Sequence, residues 1–239
     1  MSSYEIPVAT IKPGTPGTAA RRNLSTRWIS VLTLVALIVF WWAVTATGLI
    51  EPLFLPPPSA VLQKGWLLAT SGYMDSTLWQ HLGASLNRIG LGLGFAILTA
   101  VPVGIAIGAN RIARGVLDPL IEFYRPIPPL AYLPLIVIWC GIGELSKVLL
   151  IYLAIFAPIA IATATGVRIG LGVGWSTLVA AELIAATSGL GFMVQSAAQF
   201  LVTDVVVLGI LVIALIAFAM EMGLRALQRK LVPWHGQAH

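Results

Sequence analysis

The sequence predicts an all-α protein whose solvent is lipid, a polytopic integral membrane bundle of six helical spans, and three observations carry that expectation. The chain is 58% hydrophobic and only 10% charged, whereas charged residues make up about 25% of soluble domains. Its mean hydropathy is +0.93. Between Val148 and Ala186 only Arg168 and Glu182 carry charge. About 20 helical residues cross a bilayer core of about 30 Å, so that run holds two crossings, and the turn between them is expected at Thr165–Gly170.

Charge and cysteine content narrow the class. The formal charge of +5 would suggest nucleic acid in a soluble chain, but most of the cations flank apolar segments on one side, as membrane orientation requires. No nucleic-acid role is expected. Cys140 is the one cysteine, and a single thiol forms neither an internal disulfide nor a multi-thiolate metal site. It reads as a small buried hydrophobe. The first apolar segment, Trp28 to Ile50, is longer than the core of a signal peptide and no A-x-A site follows it, so it is expected to remain as the first span.

The elements follow in order. Residues 1–27 mix Pro, Gly, Ser and Thr with Lys12, Arg21 and Arg22 and are read as a disordered cytoplasmic tail; residues 28–232 form the transmembrane domain, and 233–239 a second cytoplasmic tail. After span one, the prolines 52 and 56–58 stop the helix, and Ser59 is expected to cap a short interfacial helix to Ala69. Span two runs from Ile89 to Ala109, with Arg88 at its outer rim and Gly104-x-x-x-Gly108 allowing close helix contact. Span three, Val116 to Ile142, is interrupted by Pro119, Pro126, Pro128, Pro129 and Pro134. Such backbone survives at membrane depth only where protein or a water-filled cavity covers it. Spans four and five are Lys147–Val167 and Ile169–Ala186. A short helix from Ser188 to Phe200 precedes span six, Val205–Leu224. Arg21, Arg22 and Arg27 before span one and Arg225, Arg229 and Lys230 after span six place both termini in the cytoplasm.

Catalytic and metal-binding patterns are absent. His81, His235 and His239 are the three histidines, and their placement builds neither an intramembrane metal site nor a Ser/His pair. The trios Gly90-Gly92-Gly94 and Gly170-Gly172-Gly174 match no phosphate-binding fingerprint and read as packing surfaces. The chain is expected to hold no metal and no cofactor, and to have no nucleotide site of its own. Glu182 is the most suggestive residue, since a carboxylate within a span is costly and usually faces the bundle interior or an aqueous cavity. Three readings stay open for it: a pathway or gate, a structural hydrogen bond to another helix, and an interfacial position. Asp118, Glu122 and Arg125 share one helical face, and Glu122 can pair with Arg125; a salt-bridged helix start is the favoured reading. The break at Arg125-Pro126-Ile127-Pro128-Pro129 marks a hinge or a substrate path.

Several motifs together resemble a known family: Pro52-Leu-Phe-Leu-Pro-Pro-Pro58, Leu78-Trp-Gln-His-Leu82, Tyr124-Arg-Pro-Ile-Pro-Pro-Leu-Ala-Tyr-Leu-Pro134, Leu149 to Pro158, Gly174-Trp-Ser-Thr-Leu-Val-Ala-Ala-Glu182 and Pro233-Trp-His-Gly236. They are similar to the permease subunits of ABC importers for taurine, sulfonates, nitrate and related anions, and the resemblance covers the chain from about Trp41 to Gly236. It implies an importer-permease fold in the bacterial inner membrane, a homodimer that forms the channel, cytoplasmic ATPase subunits, and a periplasmic binding protein that delivers taurine or a sulfonate. It also implies a pathway or gate among Arg125, Pro128, Pro129, Trp175 and Glu182. One departure is large. Family members carry a cytoplasmic Glu-Ala-Ala loop between spans four and five that seats on the ATPase, and here Gly166-Val167 runs directly into Arg168-Ile169-Gly170. The rival readings are a non-coupling variant that inserts without transporting, a secondary transporter, for which neither an internal repeat nor an ion-binding carboxylate pair is found, and an intramembrane enzyme, for which catalytic groups are missing.

Overall fold

The computed structural model describes residues 26–161 and 163–231, with side chains for 28–161, 169–184 and 186–227. The expected tails at 1–25 and 232–239 lie outside the described residues. The chain divides into two units, 1–40 and 41–239. The first contributes most of α1 (Thr26–Ala46), whose side chains from Trp28 to Phe40 are all exposed. The second holds the rest.

All regular elements among the described residues are helices: α2 (Pro58–Thr70), α3 (Leu78–Ala109), α4 (Arg111–Tyr124), a 3₁₀ turn at Pro129–Ala131, α5 (Leu133–Cys140), α6 (Glu144–Ile161), α7 (Thr163–Ala185), α8 (Leu190–Gln199) and α9 (Thr203–Leu231). Among those residues four segments are long and apolar enough to cross a membrane: Trp28–Ala46, Leu78–Ala109, Glu144–Ile161 and Thr203–Leu227. Ile169–Ile184 is a shorter apolar stretch inside α7. Large apolar side chains such as Ile210, Leu215 and Phe218 on α9 are exposed, as a surface that meets lipid requires.

Inside the second unit α3, α6 and α7 form the centre, α8 packs on α7 and α9, and α2 lies against α9. The core shows the spacing that a helix face demands. Ile151, Ile155 and Ile159 of α6 share one buried cluster with Ala96 and Ala100 of α3, and Leu171, Trp175 and Leu178 of α7, with Met193 and Ala197 of α8, complete it. Since lipid tails are as apolar as leucine, burial alone does not hold such helices together, and close contact of small residues must. Gly104 shows this: a Cβ placed on it would lie 2.6 Å from the Ala160 carbonyl oxygen, so α3 and α6 touch backbone to backbone.

Four boundaries differ from expectation. Ser59 does not cap α2; Pro57 occupies the cap position and Pro58 the first turn, where the missing amide costs nothing. Span two begins earlier, at Leu78, because Thr77 and Gln80 form a reciprocal capping box that satisfies two orphan amides. Thr165–Gly170 is not the turn between spans four and five. Those residues lie within α7, and in the chain a single residue, Ala162, stands between α6 and α7. Finally, Asn110 ends α3 and starts α4, its Oδ1 accepting from the amides of Ile112 (2.8 Å) and Ala113 (3.3 Å). Arg114 turns back onto the carbonyls of Ile107 and Gly108, a cation placed at a helix C-terminus.

Candidate functional site

Two polar arrangements stand out within the second unit, and they use charge in opposite ways. The first is closed. His81, Ser85 and Arg88 project from one face of α3 at i, i+4 and i+7 and are buried. Glu182, fully buried near the end of α7, accepts from Ser85 Oγ (2.7 Å), Arg88 Nη1 (2.7 Å) and the Gly191 amide (2.8 Å). Arg88 also donates to the Ser188 carbonyl (2.7 Å) and grips Glu144 with two bonds, Nε at 2.6 Å and Nη2 at 2.7 Å. Lys147 adds a third donor to Glu144 at 2.9 Å. The two cations and two carboxylates compensate one another, Arg88 and Glu182 in the interior and Glu144 at the surface, 63% exposed.

The same network holds the first turn of α8, whose amides would otherwise be orphaned. The Gly189 amide donates to His81 Nδ1 (3.0 Å), the Leu190 amide to Ser85 Oγ (2.8 Å) and the Gly191 amide to Glu182. With Nδ1 accepting from the Gly189 amide, Nε2 is the nitrogen that donates to the Tyr73 carbonyl at 3.1 Å. Gly189 is required: its φ is +129°, and a Cβ there would lie 2.5 Å from a Glu182 carboxylate oxygen. The nearby Tyr73 phenol has no partner among the described residues. Burial and the Asp204 carboxylate hold its pKa above the ordinary value.

The second arrangement is open. After Tyr124 the chain leaves the helix at Arg125–Pro128, makes the 3₁₀ turn and resumes as α5. The prolines enforce the break, since Pro126, Pro128 and Pro129 supply no amide to a continuing helix. Tyr124 anchors it by donating to the carbonyl of Leu153 (2.6 Å), midway along α6, which leaves Tyr132 to donate to the Tyr124 oxygen (2.8 Å). Beside this pair lies a cavity of about 280 Å³, bordered by Tyr124, Arg125, Pro129, Tyr132, Pro158 and Val173. A second cavity, of about 320 Å³, lies between the end of α3, α4 and the end of α6. Arg125 and Ile161 border both.

The residues expected at a pathway therefore separate. Arg125 and Pro129 line the first cavity, with Pro128 exposed next to them in the break. Trp175 is buried in the core beside a small cavity of about 30 Å³ shared with Ala217 and Met220, its Nε1 without a partner among the described residues. Glu182 belongs to the closed network. Glu122 and Arg125 make no ion pair with each other, and Glu122, Arg125 and Asp118 border the second cavity instead. Sequence reasoning misses Arg88, placed at a rim, and His81, set aside with the other histidines. The signal for both is the 81–85–88 spacing of polar residues on one helix face.

Comparison with known proteins places the chain. No protein-family model matches it. It is 55% identical to the taurine transport system permease protein TauC of Escherichia coli (strain K12), across 90% of this chain and 95% of that one. It is 33% identical to a probable ABC transporter permease protein of Brucella abortus (strain 2308), across 83% and 92%. To the putative aliphatic sulfonates transport permease protein SsuC of Escherichia coli (strain K12) it is 30% identical, across 86% and 91%. The first alignment runs over 262 residues, yet 90% of 239 is only about 215, so about 47 aligned positions of TauC have no counterpart here. The chain is a membrane transport subunit, and it belongs to the family of ABC transporter permease proteins that includes the taurine and aliphatic-sulfonate transport permeases.

Proposed function

We propose that this protein is the channel-forming permease subunit of an ATP-driven importer for taurine or a related alkanesulfonate across the bacterial inner membrane. The identity to TauC across nearly the whole of both chains carries the reading. In this reading residues 28–232 make six crossings, with α7 and the broken segment from α4 to α5 joining the four long apolar helices. Both termini face the cytoplasm, the permease is a homodimer within the lipid bilayer, cytoplasmic ATPase subunits drive it, and a periplasmic sulfonate-binding protein feeds it. Substrate passes beside Arg125, Pro128 and Pro129, because the break supplies a cavity and a cation that makes no ion pair among the described residues, where Tyr124 meets the middle of α6. Glu182 and Trp175 support that path from behind, through the closed network and the core.

Uptake of labelled taurine tests this in a strain that lacks its own taurine permease but keeps the ATPase and binding protein. Two versions are expressed: the chain as it stands, and one with the corresponding TauC segment inserted after Ala162. Uptake that depends on both partner subunits is expected from the version with the inserted segment. Absence of uptake from both versions, each present in the membrane, overturns the reading.

A further inference from the structure

We propose that Tyr124 and Tyr132 are positioning residues: their hydroxyls tie the two ends of the break to α6 and so fix where Arg125 stands in the wall of the first cavity. The proposal rests on the importer reading, in which substrate passes beside Arg125. The break has little backbone bonding of its own. The Ile127 amide donates to the Tyr124 carbonyl (3.1 Å) and the Ala131 amide to the Pro128 carbonyl (2.9 Å), while Pro126, Pro128 and Pro129 have no amide to give. On one side it meets a cavity of about 280 Å³ rather than packed side chains. The helices before and after it also have different neighbours, since α4 packs chiefly on α3 and α5 packs on α6. The Tyr124 hydroxyl bridges that gap, donating from the end of α4 to the Leu153 carbonyl of α6 at 2.6 Å.

The order of donation makes the two tyrosines unequal. A phenol has one proton, and Tyr124 gives its own to a carbonyl that can only accept, so the 2.8 Å contact between the hydroxyls is a donation from Tyr132. Losing the Tyr124 hydroxyl therefore removes the tie to α6 and also leaves the Tyr132 proton without its acceptor, in a half-buried place where an unmet donor is costly. Losing the Tyr132 hydroxyl removes one bond and strands no donor. Arg125 follows Tyr124 directly, and its amide still donates to the Ile121 carbonyl at 2.8 Å, so whatever holds Tyr124 holds the root of the arginine side chain. The guanidinium makes no ion pair among the described residues. With no charged partner at its far end, the tie at its root limits where the cation can reach.

Tyr124→Phe, Tyr132→Phe and the double variant of the full chain are compared in detergent. Tyr124→Phe is expected to lower the thermal midpoint by about 2–4 °C, the scale of one hydrogen bond in a chain of this size. Tyr132→Phe should lower it less, and adding it to Tyr124→Phe should regain part of the loss, because the stranded proton goes with it. A spin label placed by Arg125→Cys, in a chain carrying Cys140→Ala, is expected to become more mobile with Tyr124→Phe and to stay so in the double variant. Midpoint losses that add without recovery, or a label that Tyr124→Phe leaves unmoved, overturn the proposal. Uptake then separates positioning from packing. In the importer with the inserted segment, Tyr124→Phe is expected to lower maximal taurine uptake per permease in the membrane about tenfold, the scale of one hydrogen bond to a charged group. The double variant should stay low although its midpoint recovers, and Tyr124→Phe should add nothing to Arg125→Gln. Uptake that recovers with the midpoint, or that falls as far again in the Arg125→Gln background, means that the tyrosines act by packing alone and overturns the proposal. An unmutated importer with no uptake sinks the importer reading, while the label and the midpoints still decide whether the tyrosines hold position 125.

Discussion

Arg88 lies inside a membrane helix because nearly every donor it carries has an acceptor: four hydrogen bonds reach Glu144, Glu182 and the Ser188 carbonyl. Glu182 is the matching half, and removing it would strand Arg88 Nη1, Ser85 and the Gly191 amide together. Breaking such a buried pair costs about 3–5 kcal/mol. Glu182→Ala is therefore expected to lower the thermal midpoint and the membrane abundance, with uptake falling in parallel, while Glu182→Gln, which keeps one acceptor and the shape, loses less. Unchanged stability with uptake abolished would mean that the carboxylate serves transport directly. Glu182 is legible in the sequence as a costly carboxylate, but its partner is not. An arginine beside an apolar run looks like a flanking cation, and only the fold shows that α3 begins ten residues before it.

At the scale of helices, contact depends on single missing methyl groups. A Cβ at Gly104 would meet the Ala160 carbonyl oxygen at 2.6 Å, whereas one at Gly108 would meet nothing within 4 Å. Both belong to the same Gly-x-x-x-Gly pattern, so the pattern alone does not say which glycine is in the interface. Gly104→Ala is expected to cost about 1–3 kcal/mol, as overpacking does, and Gly108→Ala almost nothing; thermal midpoints in detergent decide it, and equal shifts would refute the backbone contact. Hydropathy and proline breaks disclose the apolar helices and the interruption near Arg125. They do not disclose helix ends set by caps: Thr77 and Asn110 act through side-chain bonds to nearby amides, which a hydropathy pattern does not contain. The open cavities are hidden for a related reason, since Asp118, Glu122 and Arg125 read as a self-paired face until the walls of α3 and α6 stand around them.

The molecule as a whole must pass work from an ATPase to its spans, and the length of the chain bears on how. The alignment with TauC leaves about 47 of its positions unmatched, and only Ala162 lies between α6 and α7 in the chain. A partner shifts a conformational equilibrium only by contacting its two states differently, so the positions present in TauC and unmatched in this chain are a candidate surface for the ATPase to hold. The second cavity is bordered by Ala160 and Ile161 at the end of α6. Inserting the TauC segment after Ala162 is expected to raise the amount of cognate ATPase that co-purifies with the chain, by tenfold or more if the segment supplies about 1.4 kcal/mol or more of binding. It is also expected to make ATP hydrolysis in proteoliposomes rise on adding sulfonate-loaded binding protein. Equal ATPase recovery with and without the segment would show that the ATPase seats on another surface, with the short turn at Asn110 between α3 and α4 as the next place to look.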